Sequence, residues 1–354
     1  MTPVHKQKPI KIALASFGMS GMVFHAPLID TNPNYKLVKI LERSRDNAKE
    51  LYPHVKSVKS YDNVLLDPEV EVIVVNTPDI HHYPMAKKAL EAGKHVIVEK
   101  PFVLESVHGE ELIKLAKSKN LLLTVFHNRR WDADFLTVTK IIQKKMVGNL
   151  KEYIANFERY RPTVSPKTNW KDSAESHSGT IYNLGAHSID QALVLFGMPK
   201  WLFANVRCVR ENAETDDAYD IFLGYDDVKV HLRSSYLAKE ESPRFLLHGT
   251  HGSFMKYGMD SQEDDLKEGL TPIEGAWGKD MMELYGTLNS TINEMEFAGD
   301  ITSEDGNYPY FYENFYQTLR NGGELAVKPT EANNVIRIIE AAMKSSNEKI
   351  VIKF

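Results

Sequence analysis

Between Ile10 and Phe126 the chain keeps switching between two hydrophobic periods, and that alternation constrains its fold more than any other feature. Five strand-length runs rich in β-branched residues, IKIALAS (10–16), KLVKIL (36–41), VEVIVV (70–75), HVIVE (95–99) and LLLTVF (121–126), are separated by stretches with helical spacing. In HYPMAKKALEAG (82–93), Met85, Ala86, Ala89 and Leu90 share a helical face and Gly93 supplies a C-terminal stop. Near-continuous apolar strands joined by crossover helices predict a parallel, doubly wound sheet covered on both faces. Ligands then sit beyond the carboxyl ends of its strands.

The first such end, SFGMSG (16–21), lies where a dinucleotide fingerprint G-x-G-x-x-G would fall, with Ser16 in place of the first glycine. Gly18 would let the backbone approach a pyrophosphate, Gly21 would let helix and strand pack closely, and the helix start, with Phe17, Met19 and Ser20, would face the anion. The second strand ends at Glu42, whose carboxylate would accept the adenosine ribose hydroxyls and favours NAD. Arg43, followed by Ser44 and Arg45, could hold a 2′-phosphate instead, so NADP stays open. At the third end Thr77 and Pro78 stop the strand and His82 starts a helix, either as a polar helix end or facing the cofactor. The fourth is VIVEKPF (96–102), where Glu99, Lys100 and Pro101 close a hydrophobic strand with two charges and a ring. The fifth, FHNRRWDADF (126–135), offers Asn128, Arg129 and Arg130 to phosphate, ribose or a substrate oxygen, or to a salt bridge at a domain junction.

After about residue 130 the rhythm changes. A helix over about 132–146 precedes alternating runs at 150–162, 201–210, 218–225, 228–238 and 244–250, which predict a mostly antiparallel sheet with one polar and one helix-covered face. Residues 258–306, polar and glycine-rich, read as a surface excursion, and the last 45 residues return to helices. These patterns divide the chain into a dinucleotide-binding domain over 1–128 and a substrate-binding and oligomerisation α+β domain over 129–354. Within the second, SGTIYNLGAHSIDQALVLFG (178–197) places Ile189, Ala192, Leu193 and Phe196 on one helical stripe, and Asn183, His187 and Asp190 on roughly the opposite one, which faces solvent or a cleft.

Composition narrows the function. A formal charge of −5 gives no basic surplus for a nucleic-acid partner. No run approaches the length of a membrane span, and MTPVHKQKP (1–9) lacks a signal-peptide core, so a cytoplasmic location is expected. Cys208, the single cysteine, suits a reducing compartment. The histidines at 81, 82, 127, 248 and 251 have no cysteine or carboxylate at ligand spacing, so no metal site is expected.

The stretches 15–29, 76–101, 126–135 and 179–197, together with PYFYENFYQTLRNG (309–322), resemble the Gfo/Idh/MocA family of oxidoreductases in order and spacing. The resemblance implies a Rossmann domain followed by a C-terminal domain on a large, mostly antiparallel sheet. It also implies hydride transfer between NAD or NADP and a secondary alcohol or ketone of a sugar, cyclitol or related compound, by a homodimer or homotetramer joined through the open sheet face. Lys100 corresponds to the family's active-site lysine, Pro101 to the proline that orients it, and His187 to its catalytic histidine. Asn183 stands where many members carry an aspartate; an asparagine orients a hydroxyl but cannot ionise. On this reading His187 is the general base in alcohol oxidation and Lys100 stabilises the charge developing on the reacting oxygen. Asn183, Arg161, Trp170 and Lys171 hold other substrate oxygens. Loss of the aspartate keeps a non-catalytic, dinucleotide-sensing regulator open as an alternative, and redox-assisted glycoside hydrolysis is another within the family.

Overall fold

A computed structural model describes residues 8–164, 179–273, 275 and 277–354. Six parallel strands form the first sheet: β1 (Ile10–Leu14), β2 (Tyr35–Leu41), β3 (Lys56–Val58), β4 (Val72–Val75), β5 (His95–Val98) and β6 (Leu123–Val125), in the order β3-β2-β1-β4-β5-β6. The order reverses direction between β1 and β4, which opens a crevice beyond their carboxyl ends. Strand β4 is buried along its whole length, as a strand covered on both faces must be. The five apolar runs of the sequence are five of these strands. The edge strand β3 escapes the pattern because its three residues, Lys-Ser-Val, bury one side chain only.

The second sheet has nine strands: β7 (Leu150–Asn156), β8 (Trp201–Arg207), β9 (Ala218–Gly224), β10 (Lys229–Ser235), β11 (Phe245–Gly249), β12 (Gly252–Lys256), β13 (Gly286–Ile292), β14 (Met295–Ile301) and β15 (Ile352–Lys353). They lie in the order β14-β13-β12-β11-β7-β10-β9-β8-β15, antiparallel except between β7 and β10. Residues 258–306 are therefore more than a surface excursion, since they supply the β13–β14 hairpin at the sheet edge. Its turn at Asn293 and Glu294 has positive φ at both residues (50° and 66°), the conformation of a tight hairpin. The stretch reads as polar because β14 pairs on one side only and stays largely exposed.

The helices Ala186–Phe196 and Pro329–Glu348 cover one face of this sheet, over Leu202, Leu223, Leu232 and Phe245, all fully buried. The other face carries a row in register across six strands, Phe203, Phe222, His231, Ile154, Leu246 and Met255, each half-buried. The C-terminal helices reach back to the first sheet. Tyr312, in the helix Pro309–Asn321, meets His25 at 2.6 Å, and Thr124 of β6 donates to the carbonyl of Val327 at 2.7 Å. No helix among the described residues is long and apolar enough to cross a membrane.

Candidate active site

The carboxyl ends of β1, β2, β4, β5 and β6 open into a cavity of about 1710 Å³ that continues between the two sheets. Its first wall is the β1 turn. Asn76 holds that turn from β4, accepting from the Ser16 backbone N–H at 3.0 Å and donating to the Ser16 carbonyl at 2.9 Å. The helix begins with a π-helical turn, Gly21–His25. A Cβ at Gly21 would stand 2.6 Å from the Ser16 carbonyl oxygen, so glycine is required there for strand and helix to pack. A Cβ at Gly18 would meet nothing closer than Ser16 Oγ at 3.8 Å, which leaves an open cradle for an approaching ligand. Phe17, Gly18, Met19 and Ser20 line the cavity, while Gly21 lies behind them.

Glu42 ends β2 with both carboxylate oxygens turned to backbone amides, accepting from Asn47 at 3.1 Å and Ala48 at 3.0 Å. Arg43, Ser44 and Arg45 line the cavity beside it and are exposed. Thr77, Pro78 and His82 border the cavity from β4. The His82 ring is buried, its two nitrogens against the carbonyls of Pro101 (2.7 Å) and Thr77 (2.9 Å), so it ties the segment after β4 to the one after β5.

Lys100 follows β5, on a cis peptide to Pro101. Its ammonium donates to Asn183 Oδ1 at 2.8 Å and to the Asn183 carbonyl at 3.1 Å, joining the parallel sheet to the second half of the chain. Beneath it, Glu99 accepts from Ser20 Oγ, from His25 Nε2 (2.9 Å) and from the Lys100 backbone N–H (3.0 Å). Burial alone would raise this carboxyl. The His25 ring, the Ser20 hydroxyl and the Lys100 charge outweigh it and hold the pKa at about 2.

Asn183 lies in a second π-helical turn, Ile181–Gly185, fused to the helix that carries His187. Asp216 caps the start of this turn by accepting from the Ile181 backbone N–H at 2.7 Å. Both Asn183 and His187 face the cavity, but Asp190 does not share their side. It is buried and accepts from Arg130 Nε (2.8 Å) and Nη2 (2.7 Å). His187 is buried, and its Nδ1 has no partner among the described residues. Burial, then the charges of Lys100, Arg129 and Arg244, lower its pKa well below the ordinary histidine value, so the ring is neutral at pH 7.

Arg130 serves the junction between the two halves, bonded to Asp190, the Ala326 carbonyl (2.8 Å) and Glu331 (2.9 Å). Arg129 and Asn128 line the cavity; Arg129 is paired with Asp132 at 3.0 Å and with Glu263. Arg161 lines it too, 5.9 Å above the Tyr236 ring. Trp170 and Lys171 lie outside the described residues. The residues that pattern reading misses are His25, Tyr182, Arg159, Arg210 and Tyr236. His25 and Tyr182 lie inside the family-like stretches, and Arg159, Arg210 and Tyr236 stand outside them and reach the cavity through strand pairing. Tyr182 carries no site signal of its own, and His25 only a weak one, its place one turn beyond the fingerprint.

This geometry belongs to a known class. Residues 10–127 match the family model described as the NAD-binding Rossmann fold of the Gfo/Idh/MocA oxidoreductases, and 139–354 match that family's C-terminal alpha/beta domain. The chain belongs to this family of NAD(P)-dependent oxidoreductases. It is 40% identical over 344 residues to scyllo-inositol 2-dehydrogenase (NADP(+)) IolW of Bacillus subtilis strain 168, covering 97% of this chain and 96% of that protein. It is 36% identical over 340 residues to the uncharacterized oxidoreductase YdgJ of Escherichia coli strain K12, covering 96% and 97%. Among solved structures, a Bacteroides fragilis protein superposes with a TM-score of 0.91 at 47% identity, covering 98% of this chain and 100% of that one. The Bacillus subtilis protein yvaA gives 0.94 at 39%, covering 98% and 99%.

Proposed function

We propose that the chain is a dehydrogenase or reductase acting on a secondary alcohol or ketone of a polyol or sugar-like compound, with Lys100, His187 and Asn183 at the reacting carbon. The observation that carries this reading is the Lys100 ammonium on the cavity wall, held 2.8 Å from Asn183 Oδ1, with a neutral His187 on the same wall. The nicotinamide cofactor supplies hydride donor and acceptor chemistry when bound.

The protein's residues supply position and charge. Phe17 to Gly21 cradle the pyrophosphate, with Glu99 fixing Ser20 from below. Thr77, Pro78, His82, Asn128 and Arg129 border the remainder of the dinucleotide site. Because the Glu42 oxygens already accept two amides, Arg43, Ser44 and Arg45 are the groups left to meet the adenosine ribose. NADP is therefore the preferred cofactor, in keeping with the name of the inositol dehydrogenase relative.

Lys100 donates to the reacting oxygen and stabilises its negative charge as the hydroxyl proton leaves. His187 takes that proton. Its low pKa in the ligand-free protein comes from burial and neighbouring cations, and the alcoholate charge offsets those cations when substrate is present. Asn183 orients a second hydroxyl through its carboxamide. The half-buried row from Phe203 to Met255 on the open sheet face is where a second copy of the chain docks, and light scattering of the purified protein would give a dimer or tetramer mass.

The test is calorimetric titration with NAD, NADH, NADP and NADPH, followed by absorbance assays of the bound form with inositols and keto-inositols. Tight NADPH binding and turnover of a cyclic polyol are expected. Absence of binding by all four nucleotides to the folded protein would overturn the reading.

A further inference from the structure

Charge is unevenly spread around the cavity. Among the described residues, about twice as many Lys and Arg as Asp and Glu side chains border it, although the chain as a whole is at −5. Some of that excess faces the proposed dinucleotide. At the other end, most cations are already answered. Arg129 is paired with Asp132 and Glu263, Lys267 with Glu263 and Asp264 at 2.9 Å each, and the buried Arg210 with Asp217 at 2.8 Å. Arg159 and Arg161 have no carboxylate at ion-pair distance among the described residues; the acid that acts on Arg159 is Glu263, which is already shared between Arg129 and Lys267.

Their placement is built. Beyond β7 the chain runs beside the continuation of β10: the Arg159 N–H donates to the Ser235 carbonyl at 2.9 Å and the Arg161 N–H to the Tyr236 carbonyl at 2.7 Å. An isolated bridge pairs Tyr160 with Leu237. The backbone is thus fixed on both sides of the two arginines. The Tyr236 ring lies 5.9 Å from the Arg161 guanidinium and 4.7 Å from that of Arg210, so the cations are gathered on an aromatic surface. Arg159 is half-buried, and burial, with the Arg161 and Arg129 charges adding to it and Tyr236 and Glu263 opposing, lowers its pKa.

A guanidinium half-desolvated beside two others, with no ion-pair carboxylate of its own among the described residues and only a shared Glu263 opposing, is costly unless a ligand brings an acid. We infer that the substrate bears an oxyanion, a carboxylate or a phosphate monoester, bound by Arg159 with Arg161 in the part of the cavity away from the dinucleotide. A planar fork of donors matches either group through paired hydrogen bonds, which a neutral polyol cannot reproduce. This rests on the proposed function, because it assigns the chemical class of that site's substrate.

The test uses full-length protein saturated with oxidised cofactor and three probes of one ring size: D-glucuronate, D-glucose 6-phosphate and D-glucose, titrated calorimetrically. At least one anion should bind about tenfold or more tighter than glucose. In Arg159→Gln that advantage should fall to near unity, with Arg159→Lys restoring part of it. Arg161→Gln, at a more exposed position, should lower it by a smaller factor. Which anion wins separates a sugar acid from a sugar phosphate. Equal binding of all three, no binding of either anion, or an anion preference unchanged in Arg159→Gln would each overturn the inference. Failure of the oxidoreductase reading shows separately, as absence of cofactor uptake before any probe is added. Thermal unfolding of Arg159→Gln should come at or above the parent temperature, since no ion pair among the described residues is lost and a half-buried charge is removed.

Discussion

Glu99 and Arg159 line the same cavity, and their surroundings are opposite. Glu99 accepts from Ser20, His25 and the Lys100 backbone, and these contacts overcome its burial to hold it ionised, at about 2. Arg159 is half-buried with no carboxylate at ion-pair distance among the described residues, and its pKa is depressed, chiefly by burial, with Glu263 opposing only in part. A charge satisfied within the fold sets geometry: Glu99 locks the fingerprint turn, the first helix and the segment after β5 into one unit. An unsatisfied charge on a fixed backbone is positioned for something that arrives from outside.

The largest effect expected on the satisfied side is at the lysine that Glu99 supports. Lys100→Met removes the donor to the reacting oxygen and should lower kcat by about 10³-fold while nucleotide binding, measured calorimetrically, persists. Activity close to that of the parent would break the link between the Glu99 cluster and chemistry.

Glu99→Gln tests the cluster itself. The folded carboxyl titrates at about 2 against an ordinary value of 4.5, so the native state binds fewer protons than the unfolded one between those values. Its contribution, about 3 kcal/mol, is complete above the ordinary value and is lost as pH falls through the folded one. Denaturant melts should therefore show the variant less stable at pH 7, with the difference shrinking toward pH 2. A pH-independent difference would mean that shape, and not charge, holds the cluster.

Arg43→Ala probes a cation that is exposed at the nucleotide end. NADP affinity should fall about tenfold with little change for NAD, read by calorimetry. An equal loss for both would return the preference to Glu42.

The smallest effect is a displacement along the pH axis. His187 must be neutral to accept a proton, and its pKa lies well below 6.5. The acid limb of kcat/KM should accordingly fall below pH 6.5, with the rate still level as pH drops through that value. A limb at the ordinary histidine position would place the base elsewhere.

Much of this was legible in the sequence. The five apolar runs are the buried strands β1, β2, β4, β5 and β6, and the ends they predict meet at one cavity. Lys100, Asn183 and His187 could be singled out because local spacing carries them: a charge stopping a buried strand, and two polar residues one helical turn apart. Asp190 looked equivalent to those two and is not, because it is buried at the junction, where Arg130 claims its carboxylate. Glu42 stands where an acid should meet a ribose, yet its oxygens are occupied by two amides five and six residues on. The strand β3 and the β13–β14 hairpin were invisible because β3 and β14 bury few apolar side chains, unlike the covered edge strand β6.

Hydrophobic periodicity is a local property, and by itself it determined the doubly wound parallel sheet, the mostly antiparallel second sheet and the strand mouth where Lys100 stands. The partners of the charges were decided by tertiary structure. His25 meets Tyr312 across 287 positions, Lys100 meets Asn183 across 83, and Arg159 is placed by pairing with a strand more than seventy residues later. No spacing rule reaches that far, because such contacts follow from strand order and register, which many side chains fix together.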